Sequence, residues 1–339
     1  MRAKLRCVVA ATLICLAGPA WAEDMPDPMP SRGVLMVIGA ATASPDDTHA
    51  RLVARHLPKH LPGKPAVYLR NMPGAGGMIA ANFLYANAPK KGLTFGLLNS
   101  SVLIEGLLGH PDAHFLAHRF NWLGSPNYET GALVVRGDTQ AGSWREALGR
   151  EITTGAPGLN SSTTFTSAVL NEALGLNLRT HRGYSGPSDA LLAMEREEID
   201  AFPILLSALT RARPEWLAQG KVRALVQLGP RPDPSLKDVG FAPDLVSDPQ
   251  KKRLLRAAAA PLALGHPFAA PPSMTSEQTA TLRQGLARTF ADPAYLAEAA
   301  QLGLLLNQPR TATQLQTTLD EFSNLPAELK DQLRRLTKP

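Results

Sequence analysis

Cysteine is nearly missing from this chain: its 339 residues hold only Cys7 and Cys15. Both lie in a segment with the parts of a secretory signal. Arg2, Lys4 and Arg6 form a basic start, Val8 to Ala17 is apolar, Gly18-Pro19 breaks the run, and Ala20-Trp21-Ala22 is small-x-small. Cleavage after Ala22 leaves a chain starting at Glu23 without cysteine, which excludes a disulfide framework and a thiol nucleophile. Ile14 precedes Cys15 where lipid attachment wants a small residue, so no lipoprotein is expected. Long apolar runs are also lacking. The signal's own run is far short of the roughly 20 residues that span a bilayer, and no later segment is long and apolar enough, so a soluble product exported to the periplasm is expected. Net charge is scarce too. Removing the signal takes away three basic residues and lowers the formal +6 to +3, 32 basic against 29 acidic. That is little attraction for nucleic acid, and none is expected as a partner.

Catalytic constellations are wanting as well. Gly183-Tyr184-Ser185-Gly186 is not G-x-S-x-G, because the second glycine comes one residue early. There is no H-E-x-x-H, and no paired carboxylate has an evident partner. His110, His114 and His118 recur at every fourth position, but Pro111 interrupts any helix that would align them. His49, His56 and His60 fit one helix and carry no better metal signal. The expectation is a non-enzyme without catalytic residues, metal or cofactor.

What is present is an alternation of short apolar strands and amphipathic helices. Val34–Ile38 reads as a strand, residues 47–60 as a helix with Leu52, Val53, His56 and Leu57 inward, and Leu93–Leu98 as a buried strand. A second series has the same grammar. Strands are expected at 132–135, 151–154, 178–181 and 222–228, with helices from 160–164 to Leu174 and from Asp189 to about Arg196. The last third reads as helical, with an apolar run at 261–264 and a Pro-rich passage, Phe268-Ala269-Ala270-Pro271-Pro272. Two such series predict two lobes with a cleft between them, each lobe a mainly parallel sheet flanked by helices.

The most informative stretch is Asn71-Met72-Pro73-Gly74-Ala75-Gly76-Gly77, between the apolar Ala66–Leu69 and a helical segment from Met78. A strand, a glycine turn and a helix start leave bare N–H groups at the positive end of a helix dipole, which suits an anion. A dinucleotide fingerprint would need Gly or Ala at position 79, where Ile79 stands, and no acidic residue follows about twenty residues on. A glycine turn that only tightens the connection stays open as an alternative. Asn160, Ser161, Ser162, Thr163 and Thr164 exceed what a helix cap needs, so a ligand role and a plain cap are both readings of that cluster. Tyr184, Ser185, Gly186, Pro187, Ser188 and Asp189 repeat the pattern, again with a turn-plus-cap alternative. Asp46 and Asp47 can complement a helix dipole, and near a bound carboxylate they would repel it.

These residues resemble the receptors of tripartite tricarboxylate transporters, the Bug or TctC-like family. Asn71 to Gly77 is similar to the family's N-x-P-G-A-G-G, and Ala88-Pro89-Lys90-Lys91-Gly92-Leu93-Thr94 to its A-P-x-D-G-Y-T. Further similarity lies in Leu133–Arg136, Gly183–Gly186, Leu192–Asp200 and Phe268–Pro272. The resemblance implies a two-lobed, type II-like periplasmic binding protein that closes on a small organic acid and delivers it to membrane permease subunits, acting as a monomer. It implies a first lobe of residues 23–130 plus 229–339 and a second of 131–228. It also implies ligand contacts from Ser44, Asp47, Gly74, Ala75, Gly76, Gly77, Ser100 and Ser101 in the first lobe. In the second they would be Asn160, Ser161, Ser162, Thr163, Tyr184, Ser185, Gly186 and Asp189. The chain departs from the family where glycines usually precede the Asp of the first loop: it has Ala43-Ser44-Pro45-Asp46, and Lys90-Lys91 stand in place of an acidic residue. A sensor that feeds a signalling partner is the alternative to a transport receptor.

Overall fold

A computed structural model describes residues 33–89, 92–159, 161–306 and 308–337. The signal segment, Lys90-Lys91 and Asn160 lie outside the described residues. The strands are β1 (Val34–Ile38), β2 (Val67–Asn71), β3 (Leu93–Leu97), β4 (Asn121–Gly124), β5 (Gly131–Arg136), β6 (Glu151–Ala156), β7 (Asn177–Arg182), β8 (Ala201–Leu205), β9 (Val222–Leu228), β10 (Gly240–Phe241) and β11 (Phe268–Ala270). They form two sheets, ordered β2-β1-β3-β11-β4 and β10-β9-β5-β8-β6-β7. β1 is buried at every residue because it is the middle of three parallel strands, so it reads as one apolar run rather than an alternating one.

Both sheets are mixed. β11 runs antiparallel between β3 and β4, and β5 runs antiparallel between β9 and β8. β11 comes from the Pro-rich passage and is a buried strand, too short to read from its three residues. β8 contains Pro203, which has no N–H to give, and its pairing with β6 is confined to Thr154 opposite Ala201.

The helices are α1 (Pro45–His56), α2 (Met78–Asn82), α3 (Ser100–Leu107), α4 (Trp144–Ala147), α5 (Ser162–Leu174), α6 (Pro187–Glu195), α7 (Leu206–Ala212), α8 (Pro249–Ala258), α9 (Ala260–Leu264), α10 (Ser276–Phe290), α11 (Pro293–Gln301), α12 (Ala312–Ser323) and α13 (Ala327–Thr337). α1, α6, α8 and α11 share one starting device. Proline opens the first turn, where its missing N–H costs nothing, after a Ser, Gly or Asp cap. α1 ends at His56, four residues earlier than expected, because Leu57–His60 tightens into a 3-10 turn at Pro58. His56 and His60 are held there by Glu298 and Asp292, at 2.6 and 2.7 Å.

The first sheet has its own core around Met36, Phe95, Phe268 and Leu286. A second, continuous core spans both sheets. In it, Val169 and Leu170 of α5 share one apolar cluster with Leu254 of α8, Leu333 of α13 and Trp122 of β4. The C-terminal helices therefore bridge the sheets along one side. No helix among the described residues is long and apolar enough to cross a membrane.

Candidate functional site

Register decides where the loops meet. Ile38 stands opposite both Asn71 and Leu97, so the loops after β1, β2 and β3 leave the first sheet from one level edge. In the second sheet Ala156 stands opposite Arg182, and parallel β8 ends at the same side. Gly131 faces Leu205 and Leu228, so the crossing segments between the sheets start at that edge too. Every loop expected at the site thus opens towards the crossovers, as ligand loops in open α/β sheets do.

The glycine loop has the conformation its residues allow. Gly74, Ala75, Gly76 and Gly77 all have positive φ, at 128°, 45°, 65° and 107°. Gly77 must be glycine on a second count: a Cβ there would come within 2.8 Å of the Gly39 carbonyl oxygen. Gly77 N–H donates to Gly74 O at 2.9 Å, while among the described residues the N–H groups of Gly74, Ala75 and Gly76 donate to nothing. Consecutive N–H groups on such a path form a concave donor site for an anion.

The first loop is wired differently from the expectation. Ser44 caps α1, its Oγ accepting from Asp47 N at 3.2 Å. Asp47 is 1% exposed, and both its oxygens are occupied: Oδ2 accepts from Ala43 N and Arg51 Nε, each at 2.8 Å, and Oδ1 from Asn71 Nδ2 at 2.9 Å. Burial alone would raise this carboxyl, but the bonds from Arg51, Asn71 and Ala43 outweigh it and hold it below the usual range. Asp47 is bonded to its own loop and to the start of the glycine motif. Asn71 Nδ2 also donates to Ala40 O at 3.0 Å, so the first residue of the glycine motif ties two loops together.

The remaining expected residues fall in three places. Ser100 and Ser101 open α3 behind Asn99, whose Oδ1 accepts from Ser101 N at 2.9 Å. Ser161 caps α5, and Ser161 Oγ and Thr164 Oγ1 both donate to Gly158 O, at 2.9 and 2.7 Å. Ser162 is exposed beside it and Thr163 is buried. Tyr184 packs over Gly155, Ser185 N donates to Asp189 Oδ2 at 2.9 Å, and Gly186 leads into α6.

Beneath these loops lies a buried network that sequence spacing does not reveal, since its members come from four separated segments. His266 Nδ1 meets Asn127 Oδ1 at 2.9 Å, and Asn127 Nδ2 donates to Glu129 Oε1 at 3.0 Å. Ser207 Oγ, from α7, donates to Glu129 Oε2 at 2.7 Å. Asp46 Oδ1 faces His266 Nε2 at 3.5 Å, and the His49 ring stacks on His266 with centroids 3.8 Å apart. Because Asn127 spends its amide on Glu129, its Oδ1 must accept from His266, which leaves Nε2 as the acceptor facing Asp46. Burial pushes the Asp46 carboxyl up to about 6. It also lowers both imidazoles: in His49 the neighbouring His266 and Arg211 add to this, and in His266 Glu129 opposes it while Arg211 adds. The Asp46 carboxyl thus faces His266 in the crossover region. Among the described residues no group of three or more histidine, cysteine or acidic side chains is arranged to hold a metal.

A model of the family "Tripartite tricarboxylate transporter family receptor" matches residues 49–304. No curated protein matches the chain in sequence. Solved structures do match in shape. A TctC solute-binding protein from Polaromonas is 17% identical, covers 90% of this chain and 99% of its own, and has a TM-score of 0.69. MatC from Rhodopseudomonas palustris, solved with bound malate, is 21% identical over 90% of this chain and 100% of its own, with a TM-score of 0.61. The periplasmic binding protein BugD is 20% identical over 91% and 99%, with a TM-score of 0.60.

Proposed function

The chain belongs to the tripartite tricarboxylate transporter receptor family, and we propose that it captures a small organic acid between its two sheets and delivers it to membrane permease subunits. The glycine loop carries this reading: three uncommitted backbone N–H groups, at Gly74, Ala75 and Gly76, lie at the edge where both sheets open. The family is a receptor family, which favours transport over signalling. A similar fold has been solved with malate bound, which favours a carboxylate. In this reading the protein has no catalytic step, works as a monomer and reaches the periplasm after its signal is removed. Its lobes are residues 23–130 with 229–339 and residues 131–228, with β10 added to the second sheet. Closure follows because a bound acid touches loops of both lobes and so favours the closed arrangement.

Thermal unfolding tests the proposal. An acid at a hundred times its dissociation constant adds about 2.7 kcal/mol to stability, so at least one organic acid should raise the melting temperature. Gly76→Asp is the informative variant. Gly76 sits at φ 65°, ψ 8°, which aspartate tolerates better than most residues, and a Cβ there meets only Val102 Cγ2 at 3.6 Å. The substitution should leave the fold intact and abolish the response by placing a negative charge at the donors. An unshifted melting temperature across organic acids, or full response in Gly76→Asp, would remove this function from the glycine loop.

A further inference from the structure

Asp46 and His266 present two acceptors to each other. His266 Nδ1 donates to Asn127 Oδ1, so its Nε2 is an acceptor, and it faces Asp46 Oδ1 at 3.5 Å. That is longer than a formed hydrogen bond of this kind, for which about 2.8 Å is usual. One proton, carried by either atom, turns the opposed acceptors into a bond.

The surrounding groups leave this pair as the place for that proton. Glu129 accepts from Asn127 on one oxygen and from Ser207 on the other, and its Oε1 lies 3.8 Å from His266 Nδ1. Asp47, beside Asp46 on α1, accepts from Ala43, Arg51 and Asn71. His49, also on α1, stacks on His266, and its buried Nδ1 has no hydrogen-bond partner among the described residues. Arg211 of α7 opposes a positive charge on either imidazole. Burial gives the Asp46 carboxyl the stronger hold on a proton, raising it to about 6.

The pair also lies where separate segments join. Asp46 is in the first turn of α1, His266 stands between α9 and β11, Asn127 and Glu129 lie between β4 and β5, and Ser207 belongs to α7. The loop that carries Asp46 packs on the glycine loop, with Gly77 against the Gly39 carbonyl and Asp47 bonded to Asn71.

We propose that Asp46 and His266 form a proton-operated latch: capture of an acid anion takes one proton from solvent, which bridges Oδ1 and Nε2 and fastens the loop after β1 to the chain of bonds that reaches α7. This rests on the organic-acid receptor reading and adds its regulation. An anion on the glycine loop raises the proton affinity of a carboxylate in the adjoining loop. By linkage the proton raises affinity for the anion to the same extent.

Titration calorimetry with butyrate, benzoate, succinate and malate tests it, at pH 6.5 in two buffers of different ionisation enthalpy. On binding the tightest of these acids the parent should take up roughly half a proton, and its affinity should rise about fivefold to tenfold from pH 8 to pH 5.5. Asp46→Asn offers an amide that can donate to Nε2 without a proton from solvent. It should take up almost none, and should bind at pH 8 as tightly as the parent does at pH 5.5. The buffer comparison on the parent needs no variant. Uptake near zero with a bound acid, or an Asp46→Asn protein that keeps the parent's pH slope, would overturn the latch and leave the receptor reading in place. Silence from every acid would remove both.

Discussion

Asp46 shows how one residue changes meaning between a string and a fold. In the sequence it is an extra negative charge in a loop meant for an anion. In the structure its side chain keeps 19% exposure and faces His266, and burial raises its carboxyl to about 6. The sign of its effect on stability follows. Between its unfolded value of about 3.9 and about 6 the folded state holds the proton more tightly, so Asp46 opposes folding increasingly as pH rises through that window. Asp46→Asn should therefore be more stable than the parent at pH 8, by about 1–3 kcal/mol, and no more stable at pH 4. Urea unfolding at the two pH values reads this directly. His49 and His266 act oppositely: with folded values below the unfolded one, they reduce stability as pH falls through about 6.5. The two proteins share that histidine contribution, and to first order it drops out of the comparison.

The element most exposed to misreading is the start of α5. Five small polar residues suggested a ligand role, yet Ser161 Oγ accepts from Thr164 N at 3.2 Å and donates to Gly158 O. Ser161→Ala should cost about 1 kcal/mol of stability, as loss of a helix cap does, with acid affinity changed less than twofold. A tenfold loss of affinity without loss of stability would restore the hydroxyl to the ligand. Other helix starts follow a local rule. Ser44-Pro45, Asp248-Pro249 and Asp292-Pro293 each pair a capping side chain with a proline that can only begin a helix. β4, β8 and β11 were not legible. β4 and β11 have only four and three residues, and Pro203 interrupts β8, so no local periodicity marks them.

Across the whole molecule, the two sheets are joined twice over. One join is polar, the Asp46–His266–Asn127–Glu129–Ser207 network at the crossovers. The other is apolar, where α8 and α13 pack on α5. An acid bound between the sheets can shift their relative position only to the extent that it binds one arrangement better than another. Saturating acid should reduce the radius of gyration in small-angle scattering, and Gly76→Asp should show no such change. An unchanged radius in the parent would mean that the cleft binds without closing.

The expected signal segment, the scarcity of cysteine, the alternating grammar and the glycine loop were all readable from residues 1–339, because each depends on neighbours along the chain. Glycine at 74, 76 and 77 permits the positive φ values found there, whereas Ala75 at φ 45° is held against local sterics by the folded loop. The histidine–carboxylate network and the commitment of Asp47 to its own loop were decided by the tertiary structure. Burial and side-chain pairing across the 220 positions from Asp46 to His266 set whether a carboxyl is charged, occupied or free, and no local rule carries that information.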